Sequence, residues 1–212
     1  MIDLSEARRN LMAAGLDVAT SPADPFELFN QWLGYAAELS FHNHNAMAVA
    51  TADATGQPSV RNVLYRGEQD GGLSFYTNYE SRKGLDLAAN HLAEALFSWL
   101  EIERQIRFSG EVHRLTAEQS DVYFDQRARD SRIAAIASPQ SQKIDGRDDL
   151  VVRHQTIADE LGDADPVRPD HWGGFALVPT RIEFWQGREH RLHDRVIYER
   201  AGDGWALSRI AP

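Results

Sequence analysis

Apolar side chains along this chain first recur every three to four residues and then, after Asn45, every second residue. Leu4 to Leu16 reads as a short helix stopped at Gly15. Asp24-Pro25-Phe26-Glu27 is a strong helix start: Asp24 can cap, Pro25 suits the first turn, and Glu27 can reach back as in a capping box. Phe26, Phe29, Trp32, Leu33 and Ala36 then recur at helical spacing and mark a buried face. Past Asn45 the period of two predicts strands over Ala46–Ala52, Ser59–Arg66 and Leu73–Thr77, separated by turns at 53–58 and at Asp70-Gly71-Gly72. A short helix over Ser81–Asn90 follows, then strands over Leu92–Leu100 and Arg104–Leu115. Thr116–Ala137 is helical with a break near Arg129, and Asp148–Leu161 reads as another amphipathic helix. After a loop with Pro166 and Pro169, the tail from Gly173 to Ile210 returns to strands, with a last hairpin turn at Asp203-Gly204.

The turns between strands are too short for parallel crossovers, which counts against a doubly wound sheet. The pattern predicts a β-rich α+β fold, a small β-barrel with peripheral helices. Composition fits one domain with short helical additions. The 212 residues are 42% hydrophobic, with nine Phe, six Tyr and five Trp to fill a core. A formal charge of −10 excludes a general nucleic-acid binder, which needs a basic face. No apolar run approaches the roughly 18 residues of a membrane span, and the N-terminus lacks a signal-peptide apolar region. With no cysteine, disulfides and thiolate chemistry are absent, and a cytoplasmic location is the expectation.

Charge matters locally. Cations collect at Arg61 with Arg66, Arg82 with Lys83, Arg127 with Arg129, and Arg191 with Arg195. On a strand, Arg191, His193 and Arg195 would share one face, either as a donor set for an anionic or polar ring or as solvated charges on an exposed edge. Arg61 and Arg66 would lie about 16 Å apart on opposite faces, suited to two anions rather than one. Ser81-Arg82-Lys83 opens a helix, where free N–H groups and the dipole favour phosphate. Glu101 and Glu103, on a strand, could be paired carboxylates but read as solvated. His42 and His44 have no third ligand nearby, and His190 and His193 sit among arginines, so no metal site is expected. No nucleophile elbow, dinucleotide fingerprint or phosphate loop of the Walker type occurs.

Several tracts, in order, carry a resemblance. They are Arg61-Asn62-Val63-Leu64-Tyr65-Arg66, Phe75-Tyr76-Thr77-Asn78, Ser81-Arg82-Lys83, Glu103-Arg104-Gln105, Tyr123-Phe124, Arg127-Ala128-Arg129-Asp130-Ser131 and Gln140-Ser141. Trp172-Gly173-Gly174-Phe175, Glu183-Phe184-Trp185-Gln186-Gly187 onward to Arg195, and Arg209-Ile210-Ala211-Pro212 complete them. From about Ala23 to Pro212 the chain resembles the pyridoxamine (pyridoxine) 5′-phosphate oxidase family.

That resemblance implies an FMN-binding split β-barrel over residues 23–212, preceded by an N-terminal helix and lid segment over 1–22. It implies a homodimer with FMN at the subunit interface. Arg61, Arg82, Lys83, Gln140 and Ser141 would hold the phosphate and ribityl regions of the cofactor, Tyr76, Thr77, Gln105, Trp185 and Arg195 would line the rest of its site, and Asn62, Val63, Leu64, Arg66 and Ser81 would bind it as well. Arg66, Tyr123, Arg127 and Ser131 match the family's substrate-phosphate pocket, with Arg8 and Arg9 closing over it. Arg191 and His193 would face the substrate ring as the catalytic pair. The implied reaction oxidises pyridoxamine or pyridoxine 5′-phosphate to pyridoxal 5′-phosphate. Two electrons pass to the flavin and on to O₂, giving H₂O₂, and the amine substrate also releases ammonia. Three positions depart from the pattern: Arg66 stands where Lys is usual, Leu11 where Tyr is usual, and Tyr65 where an aliphatic residue is usual. The alternatives are a split-barrel flavin oxidase of another aromatic metabolite, as in phenazine biosynthesis, and a non-catalytic flavin or pyridoxal-phosphate carrier.

Overall fold

The computed structural model describes residues 3–212, so the first two residues of the predicted N-terminal segment lie outside the described residues. Helix α1 (Leu4–Ala14) is capped by Asp3, whose carboxylate accepts from the Ser5 N–H at 2.9 Å, and it ends at Gly15 with φ +70°. Helix α2 (Pro25–Glu38) starts as its sequence predicts, the Asp24 carboxylate accepting from the Phe26 N–H at 2.9 Å. Glu27 does not reach back; it accepts instead from Gln31, one turn on. Phe29, Trp32 and Ala36 form the buried face of α2, and Phe26 and Leu33 pack at its margin.

Among the described residues nine antiparallel strands make one sheet: β1 (Ala46–Ala52), β2 (Pro58–Leu64), β3 (Glu68–Gln69), β4 (Gly72–Asn78), β5 (Leu92–Trp99), β6 (Arg104–Arg114), β7 (Trp172–Gln186), β8 (Asp194–Ala201) and β9 (Gly204–Arg209). The order is β2-β1-β5-β6-β7-β4-β3, with β8 and β9 added beside the second half of β7. The long strand β7 therefore carries the fold. It keeps β6 on one side throughout, and on the other exchanges β4 at its start for β8 at its end. Inside lies an aromatic core in which Phe29, Phe97 and Phe108 meet with centroids 5.1 to 6.0 Å apart, with Tyr65 against the first two.

The hairpin between β1 and β2 is pinned by Asp53, whose Oδ1 accepts from the N–H groups of Thr55 at 2.9 Å and Gln57 at 3.1 Å. That sets Thr51 opposite Ser59 and Val49 opposite Arg61. Helix α3 (Arg82–Ala89) is capped by the buried Ser81 and lies so close to the end of β4 that a Cβ on Gly84 would come within 2.0 Å of the Tyr79 carbonyl. Helices α4 (Ala117–Asp125), α5 (Arg129–Ala137) and α6 (Arg147–Leu161) cover one side, the predicted break near Arg129 falling between α4 and α5.

Four expectations are corrected. Residue β2 ends at Leu64, because Tyr65 bonds back to Asn45, Arg66 donates to the Ser74 carbonyl and Gly67 takes φ +97°. Arg66 thus leaves the strand rather than occupying its opposite face. Glu101 and Glu103 lie in a 3-10 turn and its left-handed cap, not on a strand. Helix α6 buries none of its residues and is not amphipathic against the core; it rests on α5 at the surface. Finally, Gly187 to His193 is not strand. His190 and Arg191 adopt φ +57° and +62°, and β8 starts only at Asp194. The cause is remote in sequence. Arg188 donates to the Met12 and Ala13 carbonyls at the end of α1, and Asp194 accepts from the Leu16 N–H and pairs with Arg188 and Arg209. The segment wraps the end of α1 instead of continuing the sheet.

Candidate functional site

A cavity of about 680 Å³ opens between β2, the end of β4, the start of α3 and helices α4 and α5. At one end Arg61, Asn62, Val63 and Leu64 come from β2, Thr77 from β4, Arg82 and Lys83 from the first turn of α3, and Gln140 and Ser141 from the loop after α5. The Lys83 ammonium, buried, donates to Thr77 Oγ1 at 2.8 Å, Ser81 Oγ at 3.1 Å and Gln140 Oε1 at 3.1 Å. Burial, reinforced by the charge of Arg61, pulls its pKa down to about 8. Two guanidiniums, an ammonium and the N-terminus of a helix make this end a phosphate-grade donor set.

The other end is aromatic and cationic. Tyr76 stacks on Tyr123 at 3.8 Å, and Trp172 lies nearly parallel to Tyr123 at 6.3 Å. The Arg127 guanidinium sits 4.7 Å over the Trp172 ring, and that of Arg66 5.8 Å from the Tyr123 ring. Arg127 Nη1 is buried with no hydrogen-bond partner, an orphaned donor that an anion in the cavity would satisfy. Arg61 and Arg66, expected on opposite strand faces, therefore line one cavity, at its two ends.

A second group lies elsewhere. Gln105 on β6 is paired with Trp185 on β7, which is paired with Arg195 on β8, so the three form one row across neighbouring strands. With Arg107, Glu183 and Pro212 they line a depression of about 220 Å³. Glu183, 1% exposed, accepts from Arg107 at 2.6 Å and Arg195 at 2.8 Å and also pairs with Arg181. Burial alone would raise its carboxyl pKa, but the bonds from Arg195 and Arg107 hold it below the ordinary glutamate range. The His193 ring lies 4.7 Å from Trp185, and its Nδ1 accepts from the Arg188 N–H at 3.1 Å. Arg191 is exposed in the left-handed turn. Arg191, His193 and Arg195 hence do not share a strand face, although His193 and Arg195 both flank Trp185.

Six predicted residues line neither cavity: Arg191 and His193, described above, with Ser81, Arg8, Arg9 and Ser131. Arg8 and Arg9 are exposed on α1, Ser131 is exposed on the first turn of α5, and none of them lines either cavity. Ser81 acts through Lys83 and the helix cap rather than from the cavity wall. The sequence reading left out Asn78, Ser138 and Trp172 in the first wall and Arg107, Glu183 and Pro212 in the second. Trp172 and Glu183 stood in quoted tracts, but only the pairing of β7 with both its neighbours gives them a place.

Residues 36–159 match the family model described as pyridoxamine 5′-phosphate oxidase, and residues 172–212 match the pyridoxine 5′-phosphate oxidase C-terminal dimerisation region. The chain belongs to the pyridoxamine 5′-phosphate oxidase family. It is 47% identical, over the whole of both chains, to the pyridoxine/pyridoxamine 5′-phosphate oxidase of Paraburkholderia phytofirmans, and 46% identical to that of Cupriavidus taiwanensis on the same coverage. Among solved structures, PhzG of Burkholderia lata in complex with tetrahydrophenazine-1-carboxylic acid matches with a TM-score of 0.85 at 32% identity, covering 92% of this chain and 95% of that one. A pyridoxamine 5′-phosphate oxidase-related, FMN-binding protein of Nostoc punctiforme shares the fold, with a TM-score of 0.71 at 16% identity, covering 91% and 100%. The split-barrel architecture of the family is the fold found here. Among the described residues no helix is long and apolar enough to cross a membrane.

Proposed function

We propose that the protein is an FMN-dependent oxidase that converts pyridoxamine or pyridoxine 5′-phosphate to pyridoxal 5′-phosphate with O₂ as acceptor, in the cytoplasm. The observation that carries this reading is the first cavity's two cationic ends, one of them built on an aromatic stack. A chain of net charge −10 concentrates Arg61, Arg82 and Lys83 at one end and Arg66 and Arg127 at the other. Two phosphates, one from the cofactor and one from the substrate, suit that division. The volume of about 680 Å³ lies within the range of ligand sites.

In this reading Arg61, Arg82, Lys83 and Thr77 bind the FMN phosphate, with Gln140 and Ser141 beside it. Arg66, Tyr123 and Arg127 hold the substrate phosphate. Bound FMN supplies a two-electron acceptor that O₂ can reoxidise. Gln105, Trp185 and Arg195 form a row that the first cavity of the same chain does not include, so we assign them to the site of a partner subunit in a homodimer. The match of residues 172–212 to a dimerisation region supports this. Arg191 and His193 would then reach the substrate ring from that subunit, orienting the carbon to be oxidised and excluding water. Arg8 and Arg9, on the helix that the 188–194 segment wraps, would cover the assembled site, which makes residues 1–22 a lid on the barrel of residues 23–212.

The purified protein should be yellow and release FMN on denaturation; colourless protein that cannot be reconstituted with FMN refutes the proposal. Pyridoxine or pyridoxamine 5′-phosphate added in air should yield pyridoxal 5′-phosphate and H₂O₂. The structural likeness to PhzG favours a second reading, oxidation of a phenazine-type substrate. Flavin that stays oxidised with both B6 phosphates under anaerobic conditions would refute the B6 reading and leave this one or a non-catalytic flavin carrier, which flavin reduction by a phenazine-type substrate would separate.

A further inference from the structure

Behind the wall of the first cavity stands a carboxylate for which an anion site has no direct use. Asp86, on α3, is 2% exposed, does not line the cavity, and pairs with Arg61 and Arg82, which do. By Coulomb's law it weakens their pull on a phosphate, so its presence needs another reason.

Its partners come from three elements. Oδ1 accepts from Arg82 Nε at 2.8 Å, one helical turn back. Oδ2 accepts from Thr51 Oγ1 and from Ser59 Oγ, each at 2.7 Å, the two residues that face each other across the β1–β2 hairpin. Each hydroxyl has one proton, and both are given to Asp86. Their lone pairs are left to accept, and both accept from Arg61: Nη1 donates to Thr51 at 2.8 Å and Nη2 to Ser59. Arg61 Nη1 also donates to the Val49 carbonyl at 2.9 Å. Arg61 is thus tied to Asp86 through two relayed hydroxyls as well as to the Val49 carbonyl, and Arg82 is held directly by Asp86 and, through Nη2, by Asp53 at 3.1 Å. Burial would raise its pKa, yet the bonds from Thr51, Ser59 and Arg82 keep it below the ordinary aspartate range.

We infer that Asp86 is a positioning residue for the cofactor phosphate: through Thr51 and Ser59 it aims the guanidinium of Arg61, and directly it aims that of Arg82. This rests on the FMN reading above. An amide at this position cannot do the same. If its oxygen faces Thr51 and Ser59, its NH₂ meets the Arg82 Nε–H. If it is flipped, the NH₂ meets the two hydroxyls, whose protons must then turn toward Arg61. Either way two donors are set face to face.

The test is binding of FMN and of riboflavin, which lacks the phosphate, to the full chain freed of flavin, for wild type and Asp86→Asn. Aiming predicts that Asp86→Asn weakens FMN about tenfold or more while riboflavin changes less than about twofold. Unchanged or tighter FMN binding overturns the inference, since removing a negative charge alone should tighten it. Equal losses for both ligands also overturn it, because they mark a merely structural residue. If Asp86→Asn does not fold, Ser59→Ala removes one relay hydroxyl and should weaken FMN about threefold, again sparing riboflavin; no change there overturns it too. Wild-type protein that binds neither flavin would instead refute the FMN reading itself.

Discussion

The two cavities are built on the same device and differ in completeness. In each a buried carboxylate gathers arginines: Asp86 holds Arg61 and Arg82, and Glu183 holds Arg107, Arg181 and Arg195. The first lies among walls from three strands, three helices and the loops between them, and carries an aromatic stack and an orphaned Arg127 nitrogen. The second is lined by six side chains beside one sheet face and holds about 220 Å³, about a third of the first. One has the outline of a binding site; the other resembles one wall of a site whose remainder lies on another chain. Oriented cations alone therefore do not outline a ligand site: volume and the variety of its walls do, and the second group has less of both within the chain.

The strongest way to break this comparison is to remove the second carboxylate. Glu183→Gln leaves three arginines crowded around one amide, and an uncompensated buried charge costs about 3 kcal/mol or more. For a chain of this length that lowers Tm by roughly 10 °C, measured by thermal unfolding. The pH dependence has a definite sign. The native carboxyl lies below its ordinary value of 4.5, so its stabilisation is full above that value and is lost as pH falls through the lower native one. The gap between wild type and Glu183→Gln should accordingly narrow in acid. An equal gap at pH 7 and well below pH 4 would show that Glu183 acts by packing alone.

Next in size is Arg127→Ala. Its buried Nη1 has no partner in the chain, and its guanidinium stacks on Trp172. The variant should raise KM for the phosphorylated substrate about a hundredfold, as expected for a charge-assisted contact from a partly buried guanidinium. FMN affinity should stay the same. Loss of FMN instead would mean that the two ends of the cavity are one anion site, not two.

How much of this was legible before folding depends on the distance over which each feature is determined. Helix α2 was legible in Asp24 and Pro25, and the hairpin in residues 53–57, because their causes are local. Arg82 and Lys83 at a helix start pointed correctly to a donor cluster. The 191–195 run failed because its backbone is set by α1: Asp194 binds Leu16, 178 residues away. Asp86 was silent for the same reason, since Thr51 and Ser59 meet it only after the hairpin and α3 have both formed. The order of tracts singled out candidate residues, while only the folded chain separated Gln105, Trp185 and Arg195 from the first cavity.

A smaller effect follows from Lys83, which burial brings to a pKa of about 8. Phosphate binding prefers the charged amine, so FMN affinity should fall as pH rises through 8, by about tenfold between pH 7 and pH 9. Lys83→Arg, always charged, should flatten that profile. A wild-type profile already flat over this range would place the phosphate nearer Arg61 and Arg82 than Lys83.

The smallest expected effect lies at Arg66, and it sharpens the contrast within the first cavity. Arg66 is exposed, and its guanidinium lies 5.8 Å from the Tyr123 ring, whereas Arg127 is partly buried and packed on Trp172 at 4.7 Å. Solvent screens the exposed charge, so Arg66→Ala should raise KM only about fivefold. Arg66→Lys keeps the charge and loses the planar fork, and it should stay within about twofold if Arg66 acts as a point charge on the substrate phosphate. A loss in the Lys variant as large as in the Ala variant would mean that the fork itself grips the phosphate. The exchange of the family's usual Lys for Arg would then be a change in substrate recognition rather than a neutral one.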